Sequence, residues 1–474
     1  MAQVPRALDP TASALHQFGA ELRHWRELRG TSLAALGRKV YVSGDLLGKI
    51  EKAERWPSEE LTVLCDSVLC TGGVLTRRWR ALGRERPTAS MIAVGYPRSA
   101  CDAAAGVGKL VGAEAGGRGQ AVSSTFRADG FAVASRDWLL ARAVEPRTIA
   151  RDVRRASIDD ARRLRQAFAL FQERDTKAGG ASTRGPLVRF LHTEAVPLLH
   201  TSHTDAVHGE IFAASAELAY LAGLTAADSG ACGLGQRYFV LALRLAQEAE
   251  DDAFAANVLA AMAHLAAAHG NGREAIQLAT TGLAGARRAA CQPVAMRLYM
   301  ALARGQALDG YERSAVDALR AAEQVLERWT PGDDPFWTRF LDHAYLLGEA
   351  AQCFLDLDQP EDAERMAEQS IKASGMRARR RALAQAALAT ARARQGEDEA
   401  AQAAFSDALA TIGNVRSSRT LRAVRGVAAA AAPLRTPVSE QIVAIAAGVT
   451  GVRSAKRCCP VVDVASVLDD RATI

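Results

Sequence analysis

The sequence predicts an all-α protein: a five-helix amino-terminal domain followed by an α-solenoid of helical hairpins. Three observations carry that expectation. Long stretches mix Ala, Leu, Arg and Glu, and β-branched clusters are scarce, which favours helices over strands. Between residues 15 and 82, short amphipathic runs are opened by capping residues or closed by glycine. Beyond residue 200, small residues return at a spacing near 40. A chain of 474 residues exceeds a single core. The reading divides it into 1–86, a helical domain; 87–150, a partly disordered linker; 151–440, a repeat domain; and 441–474, a tail.

The first helix is expected from Leu15 to Arg29, with Leu15, Phe18, Leu22, Trp25 and Leu28 on one stripe and Gly30 ending it. Ser32 caps a second helix carrying Leu33, Leu36 and Val40, and Ser43 caps a third with Leu47 and Ile50 inward. Pro57-Ser58 opens a fourth with Leu61, Leu64 and Leu69. After Gly72-Gly73 comes a fifth with Val74, Leu75 and Trp79.

The run AAAGVGKLVGAEAGGRGQ (103–120) shows no clear period and reads as a mobile linker. Its Gly108-Lys109 pair is not a phosphate-binding loop. That motif needs Gly where Ala103 stands and Ser or Thr where Leu110 stands.

From about residue 151 the chain reads as helical to its end. Gly235, Ala275, Ala315, Ala363 and Ala401 open the second helices of five hairpins, spaced 40, 40, 48 and 38 apart. Four residues on stand Phe239, Ala279, Leu319, Ala367 and Phe405. Twelve residues before the openers stand Gly223, Ala263, Ala303, Ala351 and Ala389. Small residues there let two antiparallel helices approach closely, while the larger residue wedges between hairpins. PGDDPFW (331–337) accounts for the longest spacing as an inserted loop. The pattern resembles tetratricopeptide repeats over roughly 205–430, with a unit longer than usual. Degenerate helical hairpins of another kind would give the same solenoid.

The formal net charge is +6, of which residues 1–86 carry +4. Residues 331–370 hold 10 acidic and 2 basic side chains. A basic module on a patchy body fits one polyanion-binding end. The eight cysteines form no C-x-x-C pair, so the reading is a reducing, cytoplasmic setting without a disulfide framework; Cys458-Cys459 reads as an exposed thiol pair. No signal-peptide core and no run of 18 apolar residues occurs, so no membrane association is expected. His192, His200, His203 and His208 lack zinc spacing, and no Ser/His/Asp set or acid pair stands out. No catalytic residue, metal or cofactor is therefore expected.

One segment carries recognisable chemistry. In FGAELRHWRELRGTSLAALGRKVYVSGDLLGKIEKAERWPS (18–58), a basic first helix leads to a small-residue second helix. Val42-Ser43 opens the third, Lys49-Ile50-Glu51 follows, and Arg55-Trp56-Pro57-Ser58 leads to the fourth. The segment resembles the phage-repressor (Cro/XRE) type of helix-turn-helix, in which one helix lies in the major groove and its partner braces it. The resemblance places Ser43, Gly44, Asp45, Gly48 and Lys49 at the start of the reading helix. Arg38, Lys39, Lys52 and Arg55 are better placed for phosphates. Leu33 occupies a position where family members often carry Gln to grip phosphate. Gly44 and Gly48 are expected on the groove face, leaving it without side chains that read bases.

The whole layout resembles actinomycete-type bacterial regulators with such a module, a linker and tetratricopeptide-like repeats. That resemblance implies a transcriptional regulator of double-stranded DNA, acting as a homodimer. Its repeats would sense a peptide, a small molecule or a protein partner. The bare reading face keeps a second reading open, an interaction scaffold whose helix-turn-helix is degenerate.

Overall fold

The computed structural model describes residues 14–85, 95–115, 126–140 and 156–455, apart from 54, 56, 331, 333, 376 and 414–416. All its regular elements are helical, and no β-strand occurs among the described residues. The chain divides into two compact units, Met1–Met91 and Ile92–Ile474.

The first unit holds α1 (Ala14–Leu28), α2 (Leu33–Lys39), α3 (Gly44–Glu51), α4 (Glu59–Leu69) and α5 (Val74–Glu85). The hydroxyls of Ser32, Ser43 and Ser58 accept from the backbone N–H groups of Ala35, Leu46 and Leu61 at 3.1, 3.2 and 3.1 Å. Each cap satisfies a donor that the first helical turn leaves open, which fixes where α2, α3 and α4 begin. Phe18, Leu22, Leu36, Val40, Leu47, Ile50, Leu61, Leu69 and Leu75 form the core. Two residues expected inward are not. Leu28 is 60% exposed at the very end of α1, where the chain turns at Gly30, and Leu64 is 38% exposed.

Asp66 ties α4 to α5. Its carboxylate accepts from the backbone N–H groups of Leu75 and Thr76 at 2.9 and 2.8 Å, and from the hydroxyls of Thr71 and Thr76. Burial pushes this carboxyl up, but the hydrogen bonds outweigh it and hold it below the usual carboxylate range. A depressed folded value contributes stability above the unfolded value, about 3.9, and loses it as pH falls through the folded one. Between about pH 5 and 3 the wild type is therefore expected to lose more stability than Asp66→Asn, measured by hydrogen exchange of residues 14–85 across that range. Parallel pH profiles would remove Asp66 from the acid response.

The second unit begins inside the stretch expected as a linker, and here the expectation fails. Helices α6 (Ala100–Ala115) and α7 (Asp129–Leu140) occupy much of it. Ala103, Ala104, Val107, Leu110 and Val111 of α6 are buried, as are Phe131, Ala134 and Trp138 of α7. The missing side chains that suggested mobility are instead what allows close packing. A Cβ on Gly106 would stand 2.7 Å from Leu241 Cδ2, and one on Gly108 would stand 3.3 Å from Val196 Cγ1. Gly108-Lys109 thus sits within a helix, not in a loop.

Next come α8 (Ile158–Ala178) and α9 (Gly180–Phe190), whose line continues through a π-turn at Leu191–Ala195 into Val196–Leu199. Six hairpins follow: α10 (Asp205–Asp228) with α11 (Cys232–Glu248); α12 (Asp252–Ala268) with α13 (Gly272–Arg288); α14 (Gln292–Leu308) with α15 (Glu312–Arg328); α16 (His343–Asp356) with α17 (Pro360–Ala373); α18 (Ala378–Gln395) with α19 (Asp398–Ile412); and α20 (Ser418–Ala431) with α21 (Pro437–Ala455). Gly230, Gly270, Gly310 and Gly396 take positive φ, from 74 to 86°, at four of the hairpin turns, a conformation glycine adopts without penalty. The small residues expected to open each second helix and to line each first helix are all buried. Phe239 wedges against Gly223, where a Cβ would stand 2.7 Å from its ring. The inserted loop carries a short 3₁₀ turn, Phe336–Thr338, and buries Trp337 edge-on against Phe254 at 5.1 Å between centroids.

The region read as a tail is helical as far as Ala455. Ile442 and Ala446 of α21 are buried in a core that also holds Val424 and Val427 of α20. Cys458-Cys459 lies outside the described residues, and the six described cysteines are free.

The array also returns on itself. Ser417, the cap of α20, donates to Asp228 Oδ1 at the end of α10 (2.6 Å), and the backbone N–H of Gly180 donates to Asp228 Oδ2 (3.0 Å). Arg379 of α18 donates to Asp175 of α8 at 2.9 Å and lies 3.7 Å from Asp228.

Candidate nucleic-acid interface

The pair α2 and α3 is set by glycines as much as by its apolar core. A Cβ on Gly37 would stand 2.6 Å from the carbonyl oxygen of Val42, and one on Gly44 would stand 3.0 Å from the backbone nitrogen of Ala34. A Cβ on Gly48 would touch Leu33 Cδ1 at 3.4 Å. This corrects the expectation of a bare groove face. Gly44 and the buried Gly48 both lie against α2, and at Gly44 a side chain would press on the α2 backbone and separate the helices. Leu33, which stands where a phosphate-gripping residue was expected, packs over Gly48.

The outward face is polar. Arg38, Lys39, Ser43, Asp45, Lys49, Lys52 and Arg55 are exposed, while Leu36, Val40, Leu47 and Ile50 are buried beneath them. Asp45 and Lys49 form an i,i+4 ion pair at 2.8 Å, with 75% and 51% of their side chains exposed. Exposed pairs of this kind contribute only about 0.3–0.5 kcal/mol, so a phosphate or a base edge competes readily for Lys49. The Ser43 hydroxyl oxygen accepts from Leu46 N–H and leaves its own proton free to donate.

Two features were not read from the sequence. Glu51, the last residue of α3, is buried and accepts from Arg26 at 2.6 and 3.0 Å and from Arg23 at 3.3 Å. The hydrogen bond to Glu51 raises the Arg26 pKa above its ordinary value. This clamp from α1 fixes the end of α3, and its only sequence sign was a basic helix ahead of an acidic residue. The second is Tyr41 in the α2–α3 turn, 86% exposed with φ 58°, in a conformation that bulky residues rarely adopt.

Among the described residues no group of three His, Cys, Asp or Glu side chains is placed to hold a metal. His203 bonds the Leu198 carbonyl at 2.8 Å and His208 bonds Glu248 at 3.1 Å, so both serve the packing of the second unit. No described helix is long and apolar enough to cross a membrane.

A model of the helix-turn-helix domain family matches residues 17–79. No curated protein matches the chain. Among solved structures, PlcR of Bacillus thuringiensis, in complex with the peptide PapR7 and DNA, is similar at 12% identity with a TM-score of 0.28. That alignment covers 78% of this chain and 99% of the other. The capped α2–α3 pair, its glycine contacts and the family match agree, and residues 17–79 form a helix-turn-helix domain.

Proposed function

We propose that the protein is a transcriptional regulator that binds double-stranded DNA through α2 and α3. In this reading it acts as a homodimer whose second unit, a tetratricopeptide-like array, responds to a ligand. One observation carries the reading. Five cations, Arg38, Lys39, Lys49, Lys52 and Arg55, are exposed on the two helices and the segment after them, while Leu36, Val40, Leu47 and Ile50 are buried beneath them. Such an arc tracks a phosphate backbone, with Lys49 left to reach a base edge. The place of the α3 glycines against α2 gives them a packing role, so their presence alone does not favour the scaffold reading.

With one cation at the start of the reading helix, a single module is a weak reader, and two held at half-site spacing supply the selectivity. Selection from a random duplex pool by the full-length protein tests this. A two-fold-related motif is expected. Lys49→Ala should weaken binding to that motif by about 1–3 kcal/mol, the range for losing a base contact. Recovery of no motif, or of the same motif at the same affinity with Lys49→Ala, would overturn the assignment.

A further inference from the structure

Helix α2 ends in a turn that glycine would fill without cost. The backbone N–H of Val42 reaches back to the Gly37 carbonyl at 2.9 Å, the closure of a helix end whose penultimate residue is left-handed. That residue is Tyr41, with φ 58°. At the end of α1 the same φ of 58° is carried by Gly30. A side chain in this conformation crowds the carbonyl oxygen that follows it. Ala53 and Cys70 also take positive φ, after α3 and α4, but both are small.

Nothing in the fold offsets the crowding at Tyr41. The residue is 86% exposed and lies outside the core of its unit, so its ring gains little from burial. Strained backbone of this kind concentrates where a side chain serves a function.

The surroundings of the ring say which function. Arg38, Lys39, Tyr41 and Ser43 are exposed, while Val40 is buried and Val42 half-buried, so Tyr41 joins the outward polar side of the turn. Two peptide units separate it from Ser43, the cap of α3, which puts the two Cα atoms within about 8 Å. The phenol therefore stands between the cations of α2 and the start of the reading helix. No acidic residue lies between Glu27 and Asp45 in the sequence, so this stretch carries only positive charge. That charge suits a polyanion.

We propose that Tyr41 is a DNA contact, its hydroxyl donating to a backbone phosphate at the edge of the groove that α3 enters. The inference rests on the DNA-binding reading above and adds a neutral residue to it. A hydroxyl displaces no counterion, so it adds affinity without adding salt dependence. A phosphate carries no base identity, so the gain is the same on every sequence.

The test compares full-length wild type, Y41G and Y41F on the selected motif and on an unrelated duplex. Fluorescence anisotropy is followed from 50 to 200 mM salt, and hydrogen exchange of residues 14–85 is measured for each protein. Y41G is expected to keep the turn, with protection equal to or above the wild type, because glycine relieves the left-handed backbone. Its affinity is expected to fall about tenfold on both duplexes, as for losing a hydrogen bond to a charged group. The slope of log affinity against log salt should stay the same. Y41F keeps the ring and should still lose most of that tenfold. Undiminished affinity in Y41G, a fall accompanied by lost protection, a fall confined to one duplex, a shallower salt slope, or wild-type binding by Y41F would each overturn the proposal. Wild type that binds no duplex overturns the DNA-binding reading and this inference together. Wild type that binds, matched by Y41G, overturns this inference alone.

Discussion

Replacing Glu51 by Ala is expected to remove a large share of the stability of the helix-turn-helix unit. The carboxylate is only 2% exposed and joins two guanidinium groups of α1 to the end of α3. Removing one member of a buried ion pair costs about 3–5 kcal/mol, because the remaining charges keep their desolvation without compensation. Arg26 and Arg23 are 12% and 19% exposed, so partial hydration lowers that to about 2–4 kcal/mol here. A domain of this size has a total stability of roughly 4–10 kcal/mol, so the loss takes much of it. Each 1.4 kcal/mol is a tenfold change in the open population, so hydrogen-exchange protection across residues 14–85 should fall by about 30- to 1000-fold. Glu51→Gln keeps two polar atoms in place and should fall between. Unchanged protection in Glu51→Ala would mean that the clamp adds nothing to the fold.

Neutralising the cationic arc is expected to have the larger effect on DNA. With Arg38, Lys39, Lys49, Lys52 and Arg55 all changed to Ala, the salt dependence should flatten markedly. Each lost phosphate contact removes about 0.9 from the slope of log affinity against log salt. At low salt the affinity should fall at least ~100-fold, since several screened contacts are lost together. These side chains are exposed and bury no apolar core, so hydrogen exchange of residues 14–85 should change little. Fluorescence anisotropy with duplex DNA from 50 to 200 mM salt separates the outcomes. An unchanged slope would place the DNA contact elsewhere on the chain.

The fold was legible wherever local rules decide structure. Ser32, Ser43 and Ser58 announced three helix starts, and the buried register of Leu36, Val40, Leu47 and Ile50 followed from period alone. The repeat was legible because close packing demands small residues at fixed offsets. What stayed hidden depends on partners distant in sequence. Helix α6 looked like a linker because its glycines and alanines gain meaning only against Leu241 and Val196. Gly44 and Gly48 looked like gaps in a reading face because Leu33 and Ala34, which occupy that space, belong to another helix. The bonds from Ser417 to Asp228 and from Arg379 to Asp175 need the array to return on itself, and no local pattern encodes that.

That return has a consequence for how the second unit moves. An open solenoid behaves as a chain of nearest neighbours, free to fray from either end. Here Arg379 holds Asp175, 204 residues away in sequence, so the last hairpins cannot peel off without disturbing the first. The two ends share one fate, and amide exchange near Asp228 should rise and fall in step with that near Ser417. Strain introduced at one hairpin is then felt around the whole circuit, as in a hoop and not as in a rope.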